Sequence, residues 1–214
     1  MKPFFLFIGL VCLQFPGCSQ QTTASQNGPQ PGEQQVGGRC EGCEAIYECP
    51  VPFSELDETD TISDFMSAGP KIEITGRILM PDGKTPATGV VMYFYHTDQK
   101  GIYPTKGGET GWEKRHGYLR GWIKTDKNGF YRFYTLRPAS YPNSRALAHI
   151  HATIKEPGKS AYYIDDFLFA DDPFLSDQSP NPSPRGGSGI LHLTKVSNDY
   201  FTGKRDIVLG RNVY

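Results

Sequence analysis

Residues 148–154 read Ala-His-Ile-His-Ala-Thr-Ile, with apolar side chains at 148, 150, 152 and 154 and polar ones between them. A period of two belongs to a half-buried strand, and it sends His149 and His151 out from one face. Side chains two apart on a strand converge on one ion, and neutral imidazole is the commonest metal ligand in proteins. On a helix the same spacing would throw the rings apart. Tyr141, in a corner with Pro142, lies close enough along the chain to reach the same point. An H-x-H pair alone is more often incidental than metal-binding, so a metal here needs support from elsewhere.

The 214 residues suit one domain with a full core once a leader and a linker are set aside. A net charge of −1 and the lack of any Lys/Arg block argue against a nucleic-acid partner. Aromatics at 13%, with 24 glycines and 17 prolines, point to a turn-rich all-β domain rather than a helical bundle.

Residues 1–18 have the form of an export signal. Lys2 precedes the apolar run Phe4–Val11, too short to span a bilayer, and the segment ends Pro16-Gly17-Cys18-Ser19. This is similar to a bacterial lipoprotein signal, although Phe15 and Pro16 are atypical at their places. The expectation is an exported protein, periplasmic or outer-membrane-anchored through a lipidated Cys18, with plain secretion as the alternative. Residues 19–38 hold almost no apolar side chains and are expected to form a disordered tether. A Cys-containing extension, 39–70, follows. Of its Cys40, Cys43 and Cys49, one pair is expected to form a disulfide and one thiol to remain, with the pairing left open. Three cysteines fall one ligand short of a closed structural zinc site.

The regular domain is expected over 71–214. Residues 71–78 alternate as a strand, 90–97 form a second rich in aromatics and valine, and the glycine-rich stretch 101–117 around Tyr103 is an irregular loop of the kind that builds sites. Trp122–Thr125, the turn Asp126–Gly129 and Phe130–Leu136 read as a hairpin. The histidine strand follows, then an apolar stretch over 162–169, a loop over 176–189, and closing strands at 190–193 and 207–209. Residues 50–69 read as loop or a short helical turn. The whole predicts an antiparallel β-sandwich whose long irregular loops carry the metal site.

Several stretches together resemble the catalytic domain of the intradiol ring-cleavage dioxygenases, of the protocatechuate 3,4-dioxygenase type. They are Gly101-Ile102-Tyr103; Leu119–Asp126 with Gly129–Phe133; Leu136-Arg137-Pro138 with Tyr141-Pro142; Ala148–His151; and Arg205–Gly210. The resemblance implies non-haem Fe(III) bound by Tyr103, Tyr141, His149 and His151. Two phenolates and a hydroxide would neutralise a trivalent ion, which also lowers the phenol pKa enough to ionise it. It further implies a small aromatic diol and O2 as substrates, Tyr141 taking up a substrate proton, and a cis,cis-muconate-type diacid as product.

The pattern departs from the family in two places. The family arginine sits closer to the first histidine, so Arg145 is a candidate for its role only after a loop shift. Asp165 or Asp166 falls where relatives carry a glutamine near the iron. His96, His116 and His192 lack a motif, Trp112 and Trp122 read as packing, and Tyr118 and Tyr162 are candidate pocket residues. Two alternatives stay open: a non-catalytic transthyretin-like or carboxypeptidase-regulatory-like β-sandwich binding module, which accounts for 71–137 equally well, and a degenerate dioxygenase without turnover. No helical dimerisation region is expected, and the oligomeric state is open.

Overall fold

The computed structural model describes residues 27–178 and 181–213; the export signal, Cys18 and the first part of the tether lie outside them. The described residues form eleven strands: β1 Thr59–Thr61, β2 Lys71–Leu79, β3 Val91–His96, β4 Arg120–Lys124, β5 Phe130–Leu136, β6 His149–Lys155, β7 Tyr162–Phe169, β8 Ile190–Leu191, β9 Thr194–Ser197, β10 Tyr200–Lys204 and β11 Ile207–Val208. One sheet runs β1-β5-β2-β10-β9 with β11 beside β2; the other runs β4-β3-β6-β7-β8. The longest pairings are antiparallel, but β1–β5, β2–β10, β2–β11 and β7–β8 are parallel, so the sandwich is mixed rather than purely antiparallel.

Alternation in each strand supplies the inner layer. Ile72, Ile74, Tyr131 and Phe133 of the first sheet meet Met92, Phe94, Ile150, Ile154 and Phe167 of the second in one core. Phe94 and Phe133 stack with centroids 4.1 Å apart across the sheets, a contact type that contributes about 0.5–1.5 kcal/mol beyond burial.

β4 and β5 do not form the expected hairpin. The turn between them is tight, with Asp126 Oδ1 accepting from the backbone N–H groups of Asn128 and Phe130 and Gly129 at φ +68°. The strands then part, β4 to pair with β3 and β5 with β2, because each has a longer partner in its own sheet. The link is therefore a crossing between layers. Within 50–69 the short helical turn is a 3-10 turn at Phe53–Glu55, and the structure adds the strand β1.

The Cys-containing extension covers the β3–β4 part of the outer face of the second sheet. A 3-10 helix, Cys43–Glu48, buries Ala45 and Ile46 against Val91, Tyr93 and Trp122, and the Trp122 indole donates to the Ile46 carbonyl at 2.9 Å. Cys40 and Cys43 form the disulfide, and Cys49 remains a buried thiol.

The described part of the tether, 27–38, is laid against the sandwich. Gln34 exchanges backbone hydrogen bonds of 2.9 Å with Gly158 and Ser160, Glu33 pairs with Lys155 at 2.8 Å in a site where both side chains are at most 10% exposed, and Asn27 bridges the backbone of Val51 and Phe53. The composition reads as disordered because few apolar groups are present; specific polar contacts do the holding instead.

Candidate metal centre

His149 and His151 project from the outer face of β6, as their alternation requires, while Ile150 and Ile154 enter the core. Their ring tautomers are fixed from behind. His149 Nδ1 lies 2.6 Å from the Leu147 carbonyl, which can only accept, so Nδ1 carries the hydrogen. His151 Nδ1 lies 2.9 Å from Asp166 Oδ1, and the carboxyl is held below its usual range despite burial by this imidazole, by His149 and by Arg205. Both Nε2 atoms therefore present bare lone pairs, and they face each other 3.0 Å apart. Two lone pairs so placed repel unless a hydrogen or a cation lies between them.

The phenols complete the cluster. Tyr103 Oη is 2.7 Å from Tyr141 Oη and 2.9 Å from His151 Nε2, and Tyr141 Oη is 3.2 Å from His149 Nε2. Four donor atoms thus form a closed ring with edges of 2.7–3.2 Å. This is the separation expected of neighbouring ligands sharing one ion at bond lengths of about 2 Å. The donor set of two phenols and two imidazoles fits a hard trivalent ion such as Fe(III). Burial pushes the Tyr103 phenol well above its ordinary pKa, and the Tyr141 hydroxyl adds to the effect, so without a cation Tyr103 stays neutral.

Two irregular loops deliver the phenols, and they touch through their backbones. A Cβ on Gly101 would run into the carbonyl of Ser140, and Gly101 also has φ +77°, so only glycine fits. The Ala139 N–H donates to the Asp98 carbonyl at 3.0 Å and the Thr97 hydroxyl to the Ala139 carbonyl at 2.7 Å, tying the Tyr141 corner to the start of the Tyr103 loop.

Asp166 reaches His151 because β7 is bulged. Ile150 to Ala152 on β6 is matched by Phe167 back to Ile164 on β7, so Asp165 and Asp166 together oppose His151. Asp166 takes up the imidazole, and Asp165 pairs with Arg185 at 2.9 Å. Asp166 forms a metal-type group with His149 and His151, but its bond is to the rear nitrogen of His151, the geometry of a carboxylate that orients a ligand.

Arg145 is not brought to this cluster. Its side chain is 69% exposed, ion-paired with Asp177 and placed over the Phe174 ring at 4.9 Å. The loop turns outward, and the guanidinium takes the nearest carboxylate and aromatic face. Tyr118 pairs with Lys106 at the surface, and Tyr162 is buried on Glu156, so neither lines the clefts that meet at the centre. Trp112, read as packing, lines a cleft of about 330 Å³ with Tyr95, Tyr103, His116 and Tyr141.

Sequence reasoning missed Tyr95 and His116. Tyr95 stacks on His151 at 4.5 Å and on His116 at 3.8 Å, and His116 Nδ1 lies 2.8 Å from the Tyr93 hydroxyl. Burial lowers the His116 pKa to about 4, so this ring stays neutral in the stack. The alternation of Tyr93 and Tyr95 on β3 was the available signal for Tyr95; His116, on the short helix α1 Glu113–His116, had none.

Comparison with known proteins agrees with this geometry. A family model described as a dioxygenase matches residues 51–184. Catechol 1,2-dioxygenase 1 of Acinetobacter lwoffii is 33% identical over 106 residues, which cover 49% of this chain and 33% of that relative. The chain thus matches only about a third of the relative's length. Among solved structures, the dioxygenase domain of a dioxygenase and carbohydrate-binding protein fusion from Streptomyces sp. SirexAA-E superposes with TM-score 0.56 at 21% identity, covering 70% of this chain and 85% of the other. Catechol 1,2-dioxygenase from Acinetobacter sp. ADP1 gives 0.56 at 20%, covering 72% and 57%. An intradiol ring-cleavage dioxygenase from Tetranychus urticae gives 0.51 at 22%, covering 74% and 91%. At these identities the structural likeness speaks for the fold. With the family match spanning more than half of its length, the chain belongs to the intradiol ring-cleavage dioxygenase family.

Proposed function

We propose that this chain is a non-haem Fe(III)-dependent dioxygenase that opens a catechol-type ring between its two hydroxylated carbons, adding both atoms of O2 to give a cis,cis-muconate-type diacid. The observation that carries this reading is the convergence of the two imidazole lone pairs and two phenol oxygens within 2.7–3.2 Å of their neighbours. Bound Fe(III) would supply the Lewis acidity that ionises the diol and makes the ring reactive toward O2.

The chain's own residues do the rest. His149 and His151 are neutral donors held in one tautomer, through the Leu147 carbonyl and Asp166. Both phenols sit on irregular loops, but Tyr103 lies 2.9 Å from His151 and packs beside the Tyr95 ring, whereas Tyr141 lies 3.2 Å from His149. Tyr141 is accordingly the phenol that moves and accepts a proton from the diol. Tyr95 and Trp112, each packed on the His116 ring, give aromatic walls to the cleft where the ring would lie.

The reading extends to location: an exported protein attached through Cys18 is consistent with the Cys40–Cys43 disulfide, since such bonds persist in oxidising compartments. The test is oxygen uptake with catechol by the iron-loaded protein, together with the ultraviolet absorbance of the diacid. One O2 consumed per diacid formed supports the reading, and iron-loaded protein that binds catechol without consuming O2 contradicts it.

A further inference from the structure

Three clefts meet at His151. The first, of about 330 Å³, holds the Tyr103 and Tyr141 hydroxyls; the second, about 370 Å³, lies under the Cys40–Cys43 loop; the third, about 610 Å³, runs over β7 and β8. Neighbouring clefts share walls. Glu41, Gly42 and Tyr95 border the first two, and Tyr163 and Asp166 border the second and third. They form one groove across the outer face of the second sheet, with the metal centre towards one end. Beyond the centre, that end carries Trp112 and the Glu41–Arg115 ion pair of 3.3 Å. The groove extends the other way, past Tyr163. A single ring with two hydroxyls occupies only the first cleft, whereas volumes of several hundred Å³ suit ligands of about drug size.

Tyr163 has no role in the core or in the metal centre, yet it stands between the second and third clefts as an exposed aromatic, 42% accessible. Its ring is held in place: the Arg185 guanidinium lies over it at 3.6 Å and is itself fixed by Asp165 at 2.9 Å. Arg185 is neutralised by Asp165, and Ile164, Leu168 and Ile190 make the third part of the groove apolar, while Arg39 borders the second cleft beside Tyr163. The Cys40–Cys43 disulfide closes the loop that forms the opposite wall.

We propose that the substrate is a catechol extended by an aromatic substituent, with the diol at the metal centre and the substituent on the Tyr163 ring, making Tyr163 a specificity-determining residue. The assignment rests on the dioxygenase reading and adds the part of the ligand that the metal centre does not touch.

Calorimetric titration of the iron-loaded full chain under argon, with catechol and with 4-phenylcatechol, tests it without turnover. Aromatic stacking plus burial of a second ring predicts binding of 4-phenylcatechol at least about tenfold tighter. Tyr163→Ala brings the two Kd values within about threefold, and Tyr163→Phe, which keeps the ring, retains the preference. Unchanged thermal unfolding shows that the variants are folded. Equal Kd values in the wild type, or a preference that survives Tyr163→Ala, overturn the platform while leaving the dioxygenase reading intact. Catechol that fails to bind overturns both.

Discussion

Replacing Asp166 separates the roles that the geometry gives to the metal centre and to its support. The carboxylate holds His151 through one hydrogen bond of 2.9 Å, with the two side chains about a quarter to a third exposed. A hydrogen bond to a charged group is worth about 1.5–3 kcal/mol, and solvent access places this one near the lower end. Asp166→Ala removes the acceptor, frees the imidazole to change tautomer and should weaken ferric binding by about 10- to 100-fold, the usual range for a carboxylate behind a ligand. Asp166→Asn keeps an oxygen acceptor but loses the charge, about 1 kcal/mol or roughly fivefold. Ferric affinity is measured by competition with a chelator of known strength. The proton position on His151 is read independently in the metal-free protein by nitrogen NMR, which should show Nδ1–H in the wild type and Asn variant and a mixture in the Ala variant. Wild-type affinity and tautomer in Asp166→Ala would refute the orienting role. Loss of binding beyond a thousandfold in both variants would show instead that Asp166 is itself a ligand.

Other outcomes follow from the same contacts. Gly101→Ala forces a left-handed alanine, about 1–2 kcal/mol, and drives its methyl into the Ser140 carbonyl; chemical denaturation should show a loss above that figure, and ferric affinity should fall because the two tyrosine loops part. His96, fully buried between the Thr97 carbonyl and the Thr135 hydroxyl, has its pKa lowered by burial to about 4. The unfolded chain takes up that proton first, so the stability of the neutral ring is complete above about pH 6.5 and is lost as pH falls toward 4, on the order of 3 kcal/mol. Denaturation measured across this window should show the slope, and His96→Gln should make it shallower; an unchanged slope would contradict the assignment.

The sandwich could be read from residues whose pattern is local. β5 and β7 follow the expected limits, and the alternation of β6 correctly placed both histidines on one face. The edge strand β9 and its inner neighbour β10 were not anticipated, because Thr194–Ser197 is wholly exposed and Tyr200–Lys204 is largely half-buried, so neither carries a core period. The β4–β5 crossing was read as a hairpin because a tight Asp-Gly turn looks the same whether its strands pair or part. At the site, the alternation of β6 pointed to His149 and His151 and the neighbouring corner to Tyr141, while the resemblance, which carries order along the chain, added Tyr103 and joined the four as one ligand set. Asp166 was one of two candidates, since only the bulge decides which carboxylate meets His151. Arg145 was misplaced because a short irregular connection leaves no periodic signal of where a long side chain turns. The groove past Tyr163 depends on contacts between distant segments, which no local pattern records.

The visible absorption spectrum of the purified iron-loaded protein, before and after anaerobic addition of catechol, tests the central claim most directly. Phenolate bound to Fe(III) gives a red-brown charge-transfer band. The arrangement of Tyr103, Tyr141, His149 and His151 predicts this band, a shift to longer wavelength with catechol, and a changed band in Tyr103→Phe. A protein that stays colourless after ferric loading would contradict the claim that these four residues form an iron centre.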